Sequence, residues 1–198
     1  LKILTLSYYS TDMLGNTETT SYATIFNDTT PPISQVTNSP AYSTSIPVFV
    51  GFTVSDSSGS GVQLIELWYR VKSDTETEFN NWTYSELSST VTTGMFQFDQ
   101  VSVNGTYEFY TIAVDNVGNR ESAPAQADSS TIFDNTSPTI SGITGNTIGY
   151  TGEPKTITAT VSDNILLTGA SLYYTPIGES EQPPIDFSTS TAEVPVAT

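Results

Sequence analysis

A segment in the middle of the chain, residues 107–121, occurs a second time near the N-terminus as residues 4–18. Both copies alternate apolar and polar residues, a pattern typical of a strand with one buried face. Both then enter a D-x-x-G-N turn, which begins at Asp115 in one copy and at Asp12 in the other. Internal self-similarity of this kind indicates that one structural unit is repeated along the chain. We therefore predict a tandem array of β-domains with a repeat of roughly 105 residues.

Shorter matches elsewhere in the chain keep the same order and support this repeat. Residues 28–31 recur as 135–138 with Asp134 just ahead, residues 52–56 recur as 159–163, and residues 67–69 recur as 172–174. A repeat of this length corresponds to one β-sandwich. The predicted domains are the last strands of a preceding domain over residues 1–29, a complete domain over 30–133, and the first strands of a following domain over 134–198.

Turn residues separate short alternating segments throughout the predicted middle domain, as expected for strands. Residues 74–81 are polar and are expected to form a loop. No segment shows the periodicity of an amphipathic helix, so we predict an all-β fold. The expected strands of this domain include residues 48–54, 65–71, 95–103, 107–115 and 127–133.

The repeated segment resembles the sixth strand of a fibronectin type III or microbial immunoglobulin-like (Ig-like) repeat. The residues that carry the resemblance are Tyr107, Phe109, Thr111, Ala113, Asp115 and Gly118. Residues 104–107, Asn-Gly-Thr-Tyr, resemble the tyrosine corner of that superfamily. Phe109 stands where an antibody domain has its second cysteine, and the chain contains no cysteine. The resemblance implies tandem Ig-like β-sandwiches of the cysteine-free type, one complete and two partial.

The charge and the missing residue types narrow the range of functions. The chain has 21 acidic and 5 basic residues, a net charge of -16, and no histidine. Binding to nucleic acid or to an anionic membrane needs Lys/Arg patches, so we expect neither. Without histidine and cysteine, Ser-His and Cys-His nucleophile pairs and the usual zinc sites are excluded. No apolar run is long enough to span a membrane.

The remaining candidates for catalysis are mainly carboxylates, but their arrangement in the sequence does not indicate an enzyme. Glu66, Glu86 and Glu108 would have to act as a glycosidase acid and nucleophile, which requires a deep cleft around the sugar. A sandwich of about 100 residues offers no evident cleft. We predict that this segment is not catalytic.

Acidic residues and amides are expected to gather at the end of each domain where the chain enters it. Loops at that end of an Ig-like sandwich bring oxygen ligands together, and calcium takes six to eight oxygens. Calcium is therefore a possible cofactor at a domain junction, as in cadherin-like arrays. The alternative is that each Asp only forms an Asx turn with its own backbone. The candidate ligands are Asp28, Asp56, Asp115, Asn116 and Asn119, with Asp134 and Asp163 beginning a second set.

An aromatic and aliphatic patch is expected on the outer face of the middle domain. If Tyr107 and Phe109 point inward, strict alternation places Tyr110 and Ile112 outward. Such a patch could bind sugar, a lateral subunit or a neighbouring domain, or it could only pair strands within the sheet. The predicted patch comprises Leu64, Trp68, Tyr110 and Ile112.

Four N-x-S/T sequons occur, at Asn27, Asn81, Asn104 and Asn135. They are glycosylation candidates in turns and linkers, although a chain this rich in Ser and Thr contains such sequons by chance.

These observations together predict a non-catalytic structural repeat module of an extracellular or cell-surface protein, such as a spacer, sheath, S-layer or filament component. The alternatives are an adhesin or carbohydrate-binding module, and the accessory domains of a large secreted hydrolase. The expected partners are neighbouring copies or domains of the same protein, and glycans. Because incomplete sandwiches leave sheet edges open, an equivalent of residues 1–26 is expected to complete the sandwich that begins near residue 138.

Overall fold

The computed structural model describes residues 2–57, 59–144, 155–165, 167–175, 178–186 and 191–194. The chain forms two compact units, Leu1–Asp134 and Asn135–Thr198. The described residues contain strands and no helix, so the predicted all-β class is confirmed. None of them forms a helix that could cross a membrane. The strands are β1 Lys2–Tyr8, β2 Ser21–Asn27, β3 Ile33–Asn38, β4 Tyr42–Ser43, β5 Val48–Ser55, β6 Val62–Ser73, β7 Thr83–Ser89, β8 Thr93–Phe98, β9 Gly105–Asp115, β10 Ser129–Phe133, β11 Thr139–Thr144, β12 Lys155–Ser162, β13 Ser171–Leu172, β14 Ile185–Asp186 and β15 Thr191–Val194.

The first unit begins with an antiparallel hairpin of β1 and β2, which pair from Lys2 opposite Asn27 to Tyr8 opposite Ser21. Gly15 supplies the left-handed backbone of the connecting turn, at φ 88°, a conformation that costs glycine little. Every side chain of β1 is exposed. The hairpin is thus paired through its backbone, and the apolar side chains of β1 remain uncovered.

Two sheets form the rest of the first unit and enclose its core. One has the strand order β3-β5-β8, and the other has the order β4-β10-β9-β6-β7. Neighbouring strands are antiparallel except for β4 and β10, which are parallel. The long strands β6 and β9 pair along almost their whole length. The arrangement is a β-sandwich.

Side chains from both sheets meet in one apolar core. The Phe98 ring lies at its centre, 4.7 Å from Tyr69, 5.2 Å from Phe109 and 6.0 Å from Tyr107 between ring centroids. Burial of each such side chain is worth about 1.5–3 kcal/mol. The buried members are Val36, Val48, Val50, Phe52, Val54, Ile65, Leu67, Phe96, Phe98, Tyr107, Phe109, Ala113 and Phe133. The alternation along residues 48–54, 65–71 and 107–115 therefore predicted the inward faces correctly.

Two details of the strands differ from the sequence expectation. The strand expected over residues 95–103 ends at Phe98, and just beyond it the side-chain amide of Gln100 donates to the carbonyl of Ser85. Strand β7 was not predicted because most of its residues are polar. Its buried Ser85 is satisfied by donating to the Leu67 carbonyl at 2.7 Å, so a polar residue is accepted inside the sheet.

The second unit repeats part of this arrangement. It contains a three-stranded sheet of order β11-β12-β15 and a two-stranded sheet of β13 and β14. Among its described residues Ala159 is the one buried hydrophobic side chain, while Ile140 and Ile143 are exposed. The last strand among its described residues is β15, which spans Thr191–Val194. The described part of this unit has little core of its own.

Candidate metal centre in the first unit

Three carboxylates converge at one end of the sandwich. Asp28 follows β2, Asp56 follows β5 and Asp115 ends β9, so they come from segments far apart in sequence. One carboxylate oxygen from each lies within 4.8 Å of the others. Asp28 and Asp115 are buried and Asp56 is half-buried. Oxygen ligands from separate loops at this spacing match the donor chemistry that calcium prefers.

The Asp115 carboxylate is held by its own turn. Its Oδ1 accepts hydrogen bonds from the backbone N–H groups of Val117 at 3.0 Å and Asn119 at 2.8 Å. Its Oδ2 accepts the Asn119 side-chain amide at 2.7 Å. Burial raises the pKa of Asp115, but these hydrogen bonds, from the Asn119 side chain first, outweigh burial and lower it overall. The group is therefore an anion at neutral pH.

Asp28 fastens the incoming chain to the sandwich. Its Oδ1 accepts the Thr30 N–H at 3.1 Å, and its Oδ2 accepts the Ser60 N–H at 2.5 Å. Its backbone carbonyl accepts the Asn119 amide at 3.2 Å. The Asx turns weighed in the sequence analysis are thus present at both Asp28 and Asp115. These turns do not exclude a carboxylate cluster, because the carboxylates of Asp28 and Asp115 also lie close to each other and to Asp56.

Asp56 is the least engaged of the three carboxylates. Its Oδ2 accepts the Gly61 N–H at 2.8 Å, and no described residue donates a hydrogen bond to its Oδ1. Asn116 supports the same loop by donating its side-chain amide to the Ser60 carbonyl at 2.9 Å. Of the two predicted amides, Asn119 therefore contacts the carboxylates directly, and Asn116 holds the loop that carries Asp56.

Two residues of this site, Gly59 and Ser60, were missed by the sequence analysis. A methyl group on Gly59 would overlap both oxygens of Asp56 and Oδ2 of Asp28. The two carboxylates can therefore approach the backbone this closely only because residue 59 has no side chain. The Ser60 hydroxyl oxygen is buried, and no described residue forms a hydrogen bond with it. A glycine followed by a small hydroxyl residue after a strand-end Asp is the signal in the sequence that could have found them.

No basic side chain among the described residues forms an ion pair with the cluster. The two ion pairs in this part of the chain lie elsewhere, between Arg70 and Glu108 at 2.6 Å and between Arg120 and Glu66 at 2.5 Å. Three carboxylates whose oxygens lie within 4.8 Å of one another repel each other. A bound cation would relieve that repulsion.

The N-terminal hairpin contains the same turn as the one at Asp115. Asp12 Oδ1 accepts the N–H groups of Leu14 at 2.9 Å and Asn16 at 2.8 Å, and Oδ2 accepts the Asn16 amide at 2.7 Å. The Asn16 amide is the largest of the hydrogen bonds that lower the pKa of Asp12. Gly15 and Gly118 have φ values of 88° and 92°. The repeated sequence therefore produces the repeated structure.

The second predicted set of ligands is divided between the two units. Asp134 ends the first unit and accepts the Asn104 amide at 3.1 Å. Asp163 lies in the second unit, where it accepts the N–H of Ile165 at 3.1 Å. A metal site that includes these two residues stays a prediction.

The predicted outer patch lies on the expected face, but its expected exposure is wrong for two of its four residues. Tyr110 and Ile112 are only 4% and 5% exposed. The Trp82 ring covers Tyr110, with 4.2 Å between ring centroids, and the half-buried Trp68 ring stacks against Tyr110 at 6.2 Å. Leu64 is also half-buried. Alternation placed Tyr110 on the correct face of the sheet, but this face is covered. The ring that covers it, Trp82, comes from the segment that follows the predicted loop at residues 74–81.

The remaining candidates are distributed over the surface. Asn27, Asn81 and Asn135 are exposed, whereas Asn104 is half-buried and donates to Asp134. Their glycosylation stays a prediction. Glu66 is held by Arg120, which together with a bond from Trp68 lowers the pKa of Glu66 below its usual range. A lowered pKa is opposite to what a glycosidase general acid needs.

Comparison of this chain with models of protein families, with curated proteins and with solved structures gives no match in any of the three.

Proposed function

We propose that this chain is a stretch of Ig-like modules in a tandem array, which acts as a non-catalytic spacer or wall component of an extracellular surface protein. The observation that carries the proposal is the anchoring of the linker at Asp28. Through three hydrogen bonds this residue ties the chain between β2 and β3 to its own turn and to two loops of the sandwich. A spacer needs linkers that are fixed in this way, because a free linker lets neighbouring modules swing.

The strand order supports an Ig-like assignment. Strands β3, β5 and β8 form one sheet, and β9, β6 and β10 lie in the other, as in a seven-strand Greek-key sandwich. The Tyr107 hydroxyl donates to the Val103 carbonyl at 3.0 Å and accepts the N–H groups of Ser102 and Val103. Bonding of this kind to the backbone just upstream is the mark of a tyrosine corner.

The test of the spacer function compares Asp28→Ala with Asp99→Ala. Asp99 is exposed, so its replacement changes the net charge equally without touching the linker. Backbone ¹⁵N relaxation of residues 28–30 is expected to give order parameters of about 0.85 in the wild type and the Asp99 variant, and below about 0.6 in Asp28→Ala. A linker that is already mobile in the wild type, or one that stays rigid in Asp28→Ala, would contradict the proposal.

We further propose that the carboxylates of Asp28, Asp56 and Asp115 bind calcium. The residues present fit the ion because they offer oxygen donors alone, and because a backbone without a side chain at Gly59 leaves the carboxylates room to gather. The backbone N–H of Ser60 already bonds Asp28 at 2.5 Å, which holds the loop that carries Asp56 against the linker. A bound cation would neutralise the cluster and tie the linker more firmly to the loops after β5 and β9.

Calcium binding is tested by isothermal titration calorimetry on the full chain. Asp56→Asn is the informative variant, because Asp56 makes the fewest hydrogen bonds of the three carboxylates. It is expected to lose most of the binding heat, while Asp99→Asn retains it. Absence of binding heat in the wild type, or equal affinity in Asp56→Asn, would reject the calcium proposal and leave the linker test unaffected.

The adhesin alternative has weaker support. The aromatic rings of Trp68, Trp82, Tyr84 and Tyr110 pack against one another, as expected for rings that stabilise the sheet. A glycan partner would be favoured if Trp82→Ala abolished retention of the chain on an immobilised polysaccharide without lowering its thermal stability.

A further inference from the structure

We propose that Glu121 and Asp128 form an autoinhibitory contact, which keeps the edge strand β3 from pairing with a strand of another molecule. Their carboxylates occupy the backbone N–H groups that an added strand would need. Removal of both carboxylates therefore opens the edge of β3 to strand addition. This role is additional to the spacer function and does not depend on calcium.

Strand β3 lies at the edge of a three-stranded sheet. The sheet has the order β3-β5-β8, so β5 pairs with one side of β3, and no strand in the described part of the chain pairs with the other side. An edge strand presents a row of unpaired N–H and C=O groups to any extended chain. In an antiparallel pair, alternate residues direct these groups away from the partner strand. The outward groups of β3 are therefore the ones that an added strand would use.

The outward N–H groups of β3 bind carboxylates instead of a strand. The N–H of Ser34 donates to Oε1 of Glu121 at 2.8 Å, and the N–H of Val36 donates to Oδ2 of Asp128 at 2.9 Å. Beyond Val36 the pairing of β3 with β5 shifts register before Asn38, so the regular part of the edge ends there. Within that regular part, both N–H groups that face away from β5 are thus occupied.

Glu121 is fixed in this position by β9. Its backbone N–H donates to the Ala113 carbonyl at 2.9 Å, and its Oε2 accepts the Ala113 N–H at 3.0 Å. The same oxygen accepts the Ser34 hydroxyl at 2.5 Å. Strand β10 pairs with β9 from Gly105 to Phe109, so Ala113 lies beyond the end of that pairing. One carboxylate therefore binds the edges of both sheets at this point.

Asp128 is fixed in a similar way just before β10. Its backbone N–H donates to the Phe109 carbonyl at 2.9 Å, and the next residue, Ser129, pairs with Phe109. Its side chain then reaches Val36 in the opposite sheet. Both carboxylates thus come from backbone segments that are themselves hydrogen-bonded to β9, which holds them at the edge of β3.

The turn that presents Glu121 is the one that is repeated in the hairpin. There Glu18 lies at the place of Glu121, and its carboxylate also accepts a strand N–H, that of Ser10 at 2.9 Å. Its backbone N–H donates to the Ser10 carbonyl at 3.1 Å. The D-x-x-G-N-x-E sequence therefore directs its glutamate back to the strand in both copies. Since Glu18 takes this position without a contact to β3, the turn itself places the carboxylate.

The chemistry of a carboxylate suits it to block strand addition. An ionised carboxylate has acceptor oxygens and no donor, so it saturates an outward N–H and offers no hydrogen to the carbonyl of an incoming strand. It also carries a negative charge. Because the chain has a net charge of -16, another copy that approaches the edge is repelled. An incoming strand has to displace both carboxylates before its own carbonyls can bind β3.

Self-association of the full chain tests the contact. Glu121→Ala with Asp128→Ala frees both N–H groups, and in a solution of the pure chain the strands available to them are those of other copies. By sedimentation velocity, the dissociation constant of self-association is expected to be at least roughly tenfold lower for this double variant than for the wild type. The control, Glu76→Ala with Asp99→Ala, removes the same charge from exposed positions and is expected to associate like the wild type.

A proline at position 34 separates edge pairing from other kinds of association. Proline has no N–H and is tolerated on an edge strand where the N–H faces away from the sheet. Ser34→Pro, added to the double variant, removes one of the two freed donors and is expected to reverse most of the gain in association. Circular dichroism of each variant checks that the sandwich remains folded.

Amide hydrogen exchange reports on the edge of the monomer directly. At low protein concentration, the N–H groups of Ser34 and Val36 are expected to exchange at least roughly tenfold faster in the double variant than in the wild type, while that of Phe109 in the interior strand β9 is unchanged. At high concentration their protection is expected to return, because association covers the edge again.

Four results would overturn the proposal. Two concern association: the double variant associates no more than the wild type, or Ser34→Pro leaves its association undiminished. Two concern exchange: the rates at Ser34 and Val36 do not change, or the rate at Phe109 rises by the same factor. The last result would mean that the carboxylates stabilise the sandwich as a whole rather than protect its edge.

Discussion

Leu67 and Leu172 stand at equivalent places in two copies of one structural pattern, yet Leu67 is fully buried and Leu172 is only half-buried. The same holds for Val36, which is 6% exposed, and its counterpart Ile143, which is 68% exposed. The residues are similar in size and hydrophobicity. The first unit has strands β9 and β10, which contribute the core side chains Tyr107, Phe109, Ala113 and Phe133, and the described part of the second unit contains no counterpart of this pair.

The comparison shows that burial in this fold is a property of the whole sandwich rather than of any one sheet. Strands β11, β12 and β15 pair in the same order as β3, β5 and β8, so backbone pairing does not need the opposite sheet. Burial of the apolar faces does need it, since a face is removed from water only by another layer. The first unit therefore combines backbone pairing with burial of apolar faces, whereas the described part of the second unit has backbone pairing with little burial.

The largest expected effect comes from the equivalent leucines. Leu67→Ala is expected to lower the free energy of unfolding by about 2–5 kcal/mol, because it leaves a cavity in a packed core. Leu172→Ala is expected to cost less than about 1 kcal/mol, because the side chain is already partly in water. Both tryptophans, Trp68 and Trp82, lie in the first unit, so fluorescence during urea unfolding reports that unit, and circular dichroism reports both. If Leu67→Ala and Leu172→Ala lower the free energy of unfolding equally at low protein concentration, the second unit has a core of its own.

Calcium is expected to act on the first unit more than on the second. At a free calcium concentration about 100-fold above Kd, linkage stabilises the bound unit by about 2.7 kcal/mol. This raises the Tm of a domain of this size by on the order of 10 °C. Asp56→Asn is expected to abolish the shift of the tryptophan-monitored transition. Asp163→Asn, the matched change in the second unit, is expected to leave the calcium-induced shift unchanged. The same Tm in calcium and in chelator would contradict a calcium effect on the first unit.

A comparison of Gly59 in the first unit with Gly169 in the second tests the difference in packing between the units, with a smaller expected effect. Gly59→Ala forces a methyl group against the carboxylates of Asp56 and Asp28, and we expect a loss of about 1–3 kcal/mol from overpacking. Gly169 in the second unit has open space around its position, so Gly169→Ala is expected to change stability by less than about 0.5 kcal/mol. Thermal unfolding followed by circular dichroism measures both. A harmless Gly59→Ala would mean that the carboxylates move apart at little cost.

The sequence predicted most of the fold because alternation reports directly on a half-buried strand. The inward faces of residues 48–54 and 107–115 follow from it. Strand β7 could not be found in this way, since Ser85 is buried by a hydrogen bond to a neighbouring strand and alternation detects only apolar burial. The outer face was misjudged for a related reason. Tyr110 is buried by Trp82, and the position of that ring depends on the path of a connecting segment.

The candidate site was predictable in part because the resemblance to an Ig-like sandwich implies which loops share an end of the domain. Asp28, Asp56 and Asp115 lie far apart in sequence, and the loop positions implied by the resemblance to an Ig-like sandwich placed them close together. The contribution of Gly59 was not predictable, because the close approach of two carboxylates to one backbone atom depends on how the loops pack. Whether the cluster binds calcium is a question of affinity, which neither pattern nor position decides.

The smallest expected effect is a dependence of the first unit's stability on pH. The hydrogen bond with Arg120 is the main cause that holds the pKa of Glu66 below its usual value of 4.5, and the pair joins β6 to the segment after β9. At the equivalent places the second unit has Ser171 and the hairpin has Thr17. Because the folded pKa is lowered, the stabilisation is fully present above about pH 4.5 and is lost as the pH falls through the folded pKa.

The partly exposed Arg120 limits this contribution to about 0.5 kcal/mol. Urea unfolding of wild type and Arg120→Gln at pH 7 and at pH 3 is expected to show a difference in free energy that shrinks at the lower pH. Salt should also reduce the difference at pH 7, because a partly exposed ion pair is screened. If the difference stays constant between the two pH values, Arg120 stabilises the sandwich through packing of its side chain against the sheet rather than through Glu66.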